Sequence, residues 1–381
     1  MQHRPRIAFL SAHDPHDKRS WSGIVNHTYE ALQKYCGDVT ALGPFDTDNE
    51  MKAGRIYSFL SRKITGKRFD YTHTMRIARK SAAFFSQKLK EGSYDLIFAP
   101  AAATELAFLE TDLPIFRLAD TTLARMFGYY PFYDSLLEKS KHVGNEIERS
   151  SIARSKFLLY TSQWAADSAV KDYGADPSRI HVFPIGANIE TAPSKEIILP
   201  KKRTGSCRLL FLGVEWERKG GPVAFETLLA LEKNGFDAQL TICGCVPPSD
   251  FQHPKMTVIP FLNKNMEEDR KKFEQLLIDS EILLLPTRAE CFGLVFCEAS
   301  AYGIPSITTD TGGVAGAVEN GVNGFRLPLE ASGKDLASKI IDMYSDKNAF
   351  DALCSSSRRR YDDALNWEAW AKKINALIAT I

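Results

Sequence analysis

The sequence predicts an α/β protein built from two doubly wound, parallel-sheet domains. Three observations carry that expectation. Short apolar runs of strand length alternate with helical patterns almost throughout, the mark of parallel strands covered on both faces. The chain is 381 residues long, more than one ordinary core organises. The alternation restarts near Arg208, after a Pro- and Lys-rich stretch at 189–205 that lacks periodicity and reads as a linker. An eight-stranded barrel also repeats strand–helix units, and the central linker argues against it.

Strands are expected in the first half at 6–11, 39–42, 96–99, 115–118, 157–161 and 180–184. In the second half they are expected at 208–213, 238–243, 257–259, 282–286, 306–309 and 324–327. The domains are then 1–188 and 206–366, with an amphipathic terminal helix at 367–381 crossing back to the first. Open α/β sheets bind ligands beyond the carboxyl ends of their strands. Chemistry is therefore sought in the loops after Ser11, Leu118, Gly213, Cys243 and Pro286, and a cleft between the domains is the natural active site.

Composition excludes several classes. A net charge of +1 gives no global argument for nucleic acid. No apolar run is long enough to cross a bilayer. His13, Asp14 and Pro15 break the first apolar run, so a signal-peptide core is not expected. Seven scattered cysteines form no disulfide framework, and a cytoplasmic setting is the simplest. Cys243, Cys245, Cys291 and Cys297 are expected to pack in cores rather than hold zinc.

The stretch 281–303, EILLLPTRAECFGLVFCEASAYG, is the most informative. An apolar strand runs into Pro286, and a helix is expected to begin near Phe292. Glu290 then sits just before the helix and Glu298 about two turns inside it. Gly293 lets backbone approach a ligand closely. Helix N-terminal N–H groups lack internal partners and favour an anion. Two acids beside such a turn can accept hydrogen bonds from sugar or ribose hydroxyls. The alternative is a Glu that merely suits the helix dipole, with Glu298 on a solvated helix face.

These residues resemble the retaining glycosyltransferases of the GT-B fold that share an E-x7-E motif, the group 1-like family. The motif is Glu290 to Glu298, followed by Gly303-Ile304-Pro305, Thr311-Gly312-Gly313 and Glu319-Asn320-Gly321-Val322-Asn323-Gly324. Upstream, Leu212-Gly213 with Arg218-Lys219-Gly220 resembles the strand end and basic pair that meet a donor diphosphate. Pro184-Ile185-Gly186-Ala187-Asn188 resembles the segment closing the first domain. The likeness covers most of 157–324 and is looser before it.

The resemblance implies two Rossmann-like domains facing a central cleft, the first binding the acceptor and the second a nucleotide sugar. It implies Glu290 beneath the donor sugar, Glu298 on the ribose, and backbone N–H groups of Gly293, Leu294 and Val295 near the diphosphate. A leaving diphosphate develops charge that a metal, cations or helix N-termini must neutralise. No D-x-D string is present, so departure is expected without a metal, with Arg218 and Lys219 as the cations. Val214 stands where many relatives place an Arg. Ser22-Gly23-Ile24 resembles the glycine loop near the diphosphate, and Ser22 reads equally as an ordinary N-cap. Asp120 stands where relatives often have a His; it either positions the sugar or acceptor proton or caps a helix starting at Thr121 or Thr122. Epimerisation of a sugar nucleotide, or nucleotide binding without chemistry, are the competing functions. A dehydrogenase is disfavoured because no G-x-G-x-x-G follows the first strand.

Residues 51–90 hold eleven Lys and Arg against the single acid Asp70, with Tyr57, Phe59, Phe69, Tyr71, Phe84 and Phe85 interleaved. Three readings stay open: peripheral contact with an anionic membrane, a solvated helix pair with aromatic core anchors, or capture of a polyanionic acceptor. The Tyr rings of 127–133, after Asp120, are candidates to stack on sugars, and a packed loop is the alternative.

Overall fold

The computed structural model describes residues 4–201 and 205–381. The chain divides into two compact units: residues up to Phe183 together with Trp370–Ile381, and Pro184–Ala369.

The first unit holds one parallel sheet of β1 (Arg6–Phe9), β2 (Asp38–Ala41), β3 (Leu96–Pro100), β4 (Ile115–Ala119), β5 (Phe157–Tyr160) and β6 (Ile180–Val182), in the order β2-β1-β3-β4-β5-β6. The order in which strands are added reverses between β1 and β3, which run parallel. Those strands pair with Ile7 opposite Leu96 and Phe9 opposite Phe98. Central strands β3 and β4 are buried along their whole length, whereas edge strand β2 alternates with exposed positions, as a strand paired on one side does. Trp370, fully buried, meets the Phe98 ring edge-on at 5.7 Å and so ties the terminal helix Trp367–Ile378 into this core. Helices α1 (Ile24–Tyr35), α2 (Asp48–Thr65) and α3 (Met75–Lys90) lie between β1 and β3 in the chain.

The second unit holds β7 (Cys207–Leu212), β8 (Ala238–Cys243), β9 (Met256–Ile259), β10 (Ile282–Leu285), β11 (Ser306–Thr309) and β12 (Gly324–Leu327), in the order β12-β11-β10-β7-β8-β9. Counted from β7, this is the doubly wound dinucleotide-binding order, whose switch point falls between its first and fourth strands. Here that is the β7–β10 pair, where Ile282 faces Leu209.

Among the described residues, twelve strands appear where the sequence predicts them, with ends that differ by a residue or two in either direction. The stretch 189–205, read as a linker, falls with the second unit and forms a helical turn at Lys195–Ile198; its residues 202–204 lie outside the described residues. The segment 184–188, expected to close the first domain, is likewise tied within the second unit. The Ala187 N–H donates to the Leu365 carbonyl at 2.9 Å, and the Trp367 indole donates to Asn188 at 3.3 Å. All seven cysteines are buried thiols, none of them in a disulfide. Among the described residues, no helix is long and apolar enough to cross a membrane.

Candidate functional site

The switch point of the second sheet brings two loops together. One follows β7 and ends at Gly220; the other follows β10 and ends at Gly293. Their backbones lock. The Arg288 N–H donates to the Arg218 carbonyl at 2.7 Å, and the Thr287 hydroxyl reaches the same oxygen at 3.3 Å. Gly220 is left-handed at φ 78°, and a Cβ there would stand 1.9 Å from the Pro286 carbonyl oxygen. Only glycine allows that approach.

This locking delivers the predicted cations to the predicted acid. The Lys219 ammonium donates to the Glu290 carboxylate, and both side chains are about nine-tenths buried. The Arg218 guanidinium lies 3.9 Å from the same carboxylate. It also donates to the Ala289 carbonyl at 2.9 Å and clamps Glu215 at 2.6 and 3.0 Å. That clamp holds the Glu215 carboxyl below its ordinary range. Val214, where relatives place an Arg, is exposed. Arg218 brings a guanidinium to this cluster from farther along the same loop.

The helix beyond the second loop runs Leu294–Ala301, not from Phe292. Gly293 is its N-cap at φ 92°, and that left-handed turn delays the helix. A Cβ there would meet the Phe296 ring at 2.5 Å. Its N-cap is a glycine, with no side chain of its own to cap the first turn, and the Leu294 and Val295 N–H groups have no partner within the helix. The later start makes Glu298 the fifth helical residue, one turn inside rather than two. Its solvated-face reading also fails: Glu298 is 2 % exposed. The helix LVFCEASA is apolar around most of its girth, so it buries nearly all of it. A buried carboxylate needs a partner. Lys264, from the loop after β9, donates to Glu298 at 2.7 Å while its ammonium lies 4.7 Å from the Phe273 ring centre. Sequence reasoning missed Lys264, since nothing in its spacing relates it to Glu298.

In the first unit, Gly23 is the N-cap of α1 at φ 88°. Ser22 is not that cap. It and Trp21 hold left-handed backbones, at φ 55° and 47°, conformations that cost non-glycine residues and persist where surroundings fix them. The Trp21 indole donates to the Asp120 carboxylate at 3.3 Å. Asp120 is not a helix cap either, because the next helix starts at Leu123 with Thr122 as its N-cap. The structure thus joins Asp120 to the loop carrying Gly23, joins Arg218, Lys219, Glu290 and Gly293 to one another, and sets Glu298 with Lys264.

Comparison with known proteins follows that geometry. Residues 206–346 match the family model described as Glycosyl transferases group 1. A glycogen synthase of Mycobacterium tuberculosis (strain CDC 1551 / Oshkosh) is 28 % identical over 230 residues, covering 59 % of this chain and 54 % of that protein. The chain thus spans about half the length of the curated relatives it matches. Among solved structures, sucrose-phosphate synthase from Thermosynechococcus elongatus superposes with a TM-score of 0.67 at 18 % identity, covering 99 % of both chains. Anabaena Alr3699/HepE in complex with UDP and glucose superposes with a TM-score of 0.62 at 14 % identity over the full length of both. The fold, two parallel six-stranded α/β sheets, is GT-B.

Proposed function

We propose that this chain, whose residues 206–346 form a group 1 glycosyltransferase domain, moves a hexosyl group from a UDP- or GDP-linked sugar to a glycan, lipid-linked or small-molecule acceptor, with retention of configuration. The observation that carries the reading is the Lys219–Glu290 pair, held at the sheet's switch point beside a helix N-terminus capped by glycine. With no ligand the two charges neutralise each other. A diphosphate takes Lys219, with Arg218 beside it and the Leu294 and Val295 N–H groups along the helix axis. That frees Glu290 for the sugar hydroxyls. Glu298, already oriented by Lys264, accepts hydrogen bonds from the ribose diol.

Fixed cations and N–H dipoles suffice in this reading to stabilise the leaving diphosphate without a metal. The acceptor hydroxyl attacks from the face the diphosphate leaves. The new C–O bond forms as the glycosyl–phosphate bond breaks, and the departing phosphate oxygen accepts the hydroxyl proton. Asp120 and the Gly23 loop, joined through the Trp21 indole, are the first unit's candidate catalytic and donor-binding groups in this reading. The setting in this reading is the cytoplasm, with residues 51–90 the candidate segment for peripheral contact with the inner membrane surface.

Thermal-shift measurement against UDP, GDP and ADP tests it, because a ligand of the folded state raises its apparent stability. One diphosphate is expected to stabilise the protein and to do so in excess chelator. No shift with any of them defeats the reading. Isomerised donor formed with no acceptor present would favour an epimerase instead.

A further inference from the structure

Helix α2 is packed the wrong way round for a helix of a self-contained globule. Its buried side chains are Ser58 and Ser61. On the same side, a Cβ at Gly54 would stand 2.2 Å from Tyr71 Cβ, so the helix sits close on its small-residue face. The large apolar residues point away from the protein. Ile56 is 64 % exposed, Tyr57 55 %, Phe59 57 %, Leu60 48 % and Ile64 82 %. Ile56, Leu60 and Ile64 recur every four residues and form one stripe, with Tyr57 and Phe59 on its flanks. The aromatic-anchor reading of this segment therefore holds for Phe85, which is buried, and fails for Tyr57 and Phe59.

Charge frames the stripe. Lys52, Arg55, Arg62 and Lys63 are exposed on the same helix, and no carboxylate pairs with them among the described residues. Lys63 lies over the Phe59 ring at 4.7 Å, its stem along the apolar surface and its ammonium at the rim. Just past the helix, the Arg68 guanidinium stacks at 4.1 Å on Phe132, itself 47 % exposed. Asp70, the one acid of 51–90, is buried against His73 at 2.8 Å and offers no opposing charge to an approaching surface.

We infer that the outward face of α2 docks on an anionic lipid bilayer, with the Ile56–Leu60–Ile64 stripe in the acyl boundary and the flanking cations at the headgroups. Acids are confined to the first turn, at Asp48 and Glu50; an apolar stripe of this size with a basic rim from Lys52 onward is what an interfacial helix presents, and juxtaposed basic residues select anionic lipid. This deepens the reading above by naming the partner that would present an acceptor. That consequence rests on glycosyl transfer; the docking itself does not.

Vesicle flotation of the full chain tests it, using phosphatidylcholine alone and phosphatidylcholine mixed with phosphatidylglycerol. The protein is expected to float with the mixed vesicles, to stay behind with the neutral ones, and to lose binding as salt shortens the screening length. The variant Ile56→Ser/Phe59→Ser/Ile64→Ser is expected to bind about tenfold more weakly, with an unchanged melting temperature because those side chains are exposed. Arg55→Gln/Arg62→Gln is expected to lose the preference for anionic lipid. Absence of flotation with mixed vesicles, or equal flotation by the serine variant, overturns the inference. So does a concentration-dependent dimer abolished by the same substitutions with no lipid binding, which assigns the face to a second copy. The nucleoside-diphosphate thermal shift, run on the same samples, separates the two readings: its loss in the parent protein defeats donor binding and leaves the flotation result standing.

Discussion

Each unit buries a cation against a carboxylate, and the two pairs differ in where they sit. In the first unit Arg117 is the middle residue of β4. Its guanidinium donates to Glu148 at 2.7 Å and to the Tyr160 hydroxyl at 3.1 Å, with both charged side chains almost fully enclosed. Burial pulls the Arg117 pKa down, and the Glu148 charge and Tyr160 outweigh it, so it stays charged. In the second unit Lys219 and Glu290 meet in loops beyond the strand ends. One pair is enclosed mid-sheet with no room for a ligand. The other stands where open sheets bind ligands, beside a second cation. Position along the strand, not the strength of the contact, separates a structural pair from one that can exchange partners.

The largest expected effect tests the enclosed pair. Glu148→Leu leaves Arg117 buried without its counter-charge and is expected to cost about 3–5 kcal/mol in denaturant unfolding. Nucleoside-diphosphate affinity should not change under conditions where the variant is folded. A loss near zero would mean Arg117 finds another partner, and the contrast between the pairs would weaken. The exchangeable pair should behave in the opposite way. Lys219→Met is expected to lower transfer about 10²–10³-fold, as removal of one stabilising donor does, while Lys219→Met/Glu290→Met should fold about as stably as the parent. A double variant that fails to fold would make this pair structural too.

A third measurement sharpens the picture of the first unit. Burial pushes the Glu105 carboxyl up to about 7 from 4.5, with His73 partly opposing the shift. The native state then holds a proton that the unfolded chain has released. Stability from this residue is intact below about 4.5 and is lost as pH rises towards 7. Glu105→Gln should remove that slope and be worth about 2–3 kcal/mol above pH 7 relative to the parent's decline. Parallel pH–stability profiles for parent and variant would show that Glu105 titrates normally.

The strands were legible because they are short apolar runs, most of them ended by Gly, Pro or a charge, and parallel strands need little more. The cluster around Glu290 was legible for a related reason. Its members lie within a few residues of β7 and β10, and chain order fixes those strands as neighbours. What escaped depends on tertiary packing. Arg117 in a buried strand announces that it needs a partner, but no pattern points to Glu148, thirty-one residues away. The periodicity of α2 marks an amphipathic helix and does not say which face the protein keeps. The left-handed pair Trp21–Ser22 runs against local preference, so propensity reasoning places a cap there instead.

Glu298 joins both sides of the comparison, and it carries the smallest expected effect. Like Glu148 it is enclosed; like Glu290 it has a cation whose reach extends outward, since Lys264 is about two-fifths exposed. If its role is the ribose diol, Glu298→Ala should weaken nucleoside-diphosphate binding about tenfold, the worth of one or two hydrogen bonds to a charged acceptor. Glu298→Gln should recover part of that loss, because the amide oxygen still accepts. Lys264→Met should weaken binding less than Glu298→Ala, by freeing the carboxylate to turn away. Titration calorimetry with the diphosphate ranks the three. If instead the carboxylate serves only to satisfy Lys264, all three variants would bind alike and differ only in melting temperature, and Glu298 would belong with Glu148 among the residues that hold the fold.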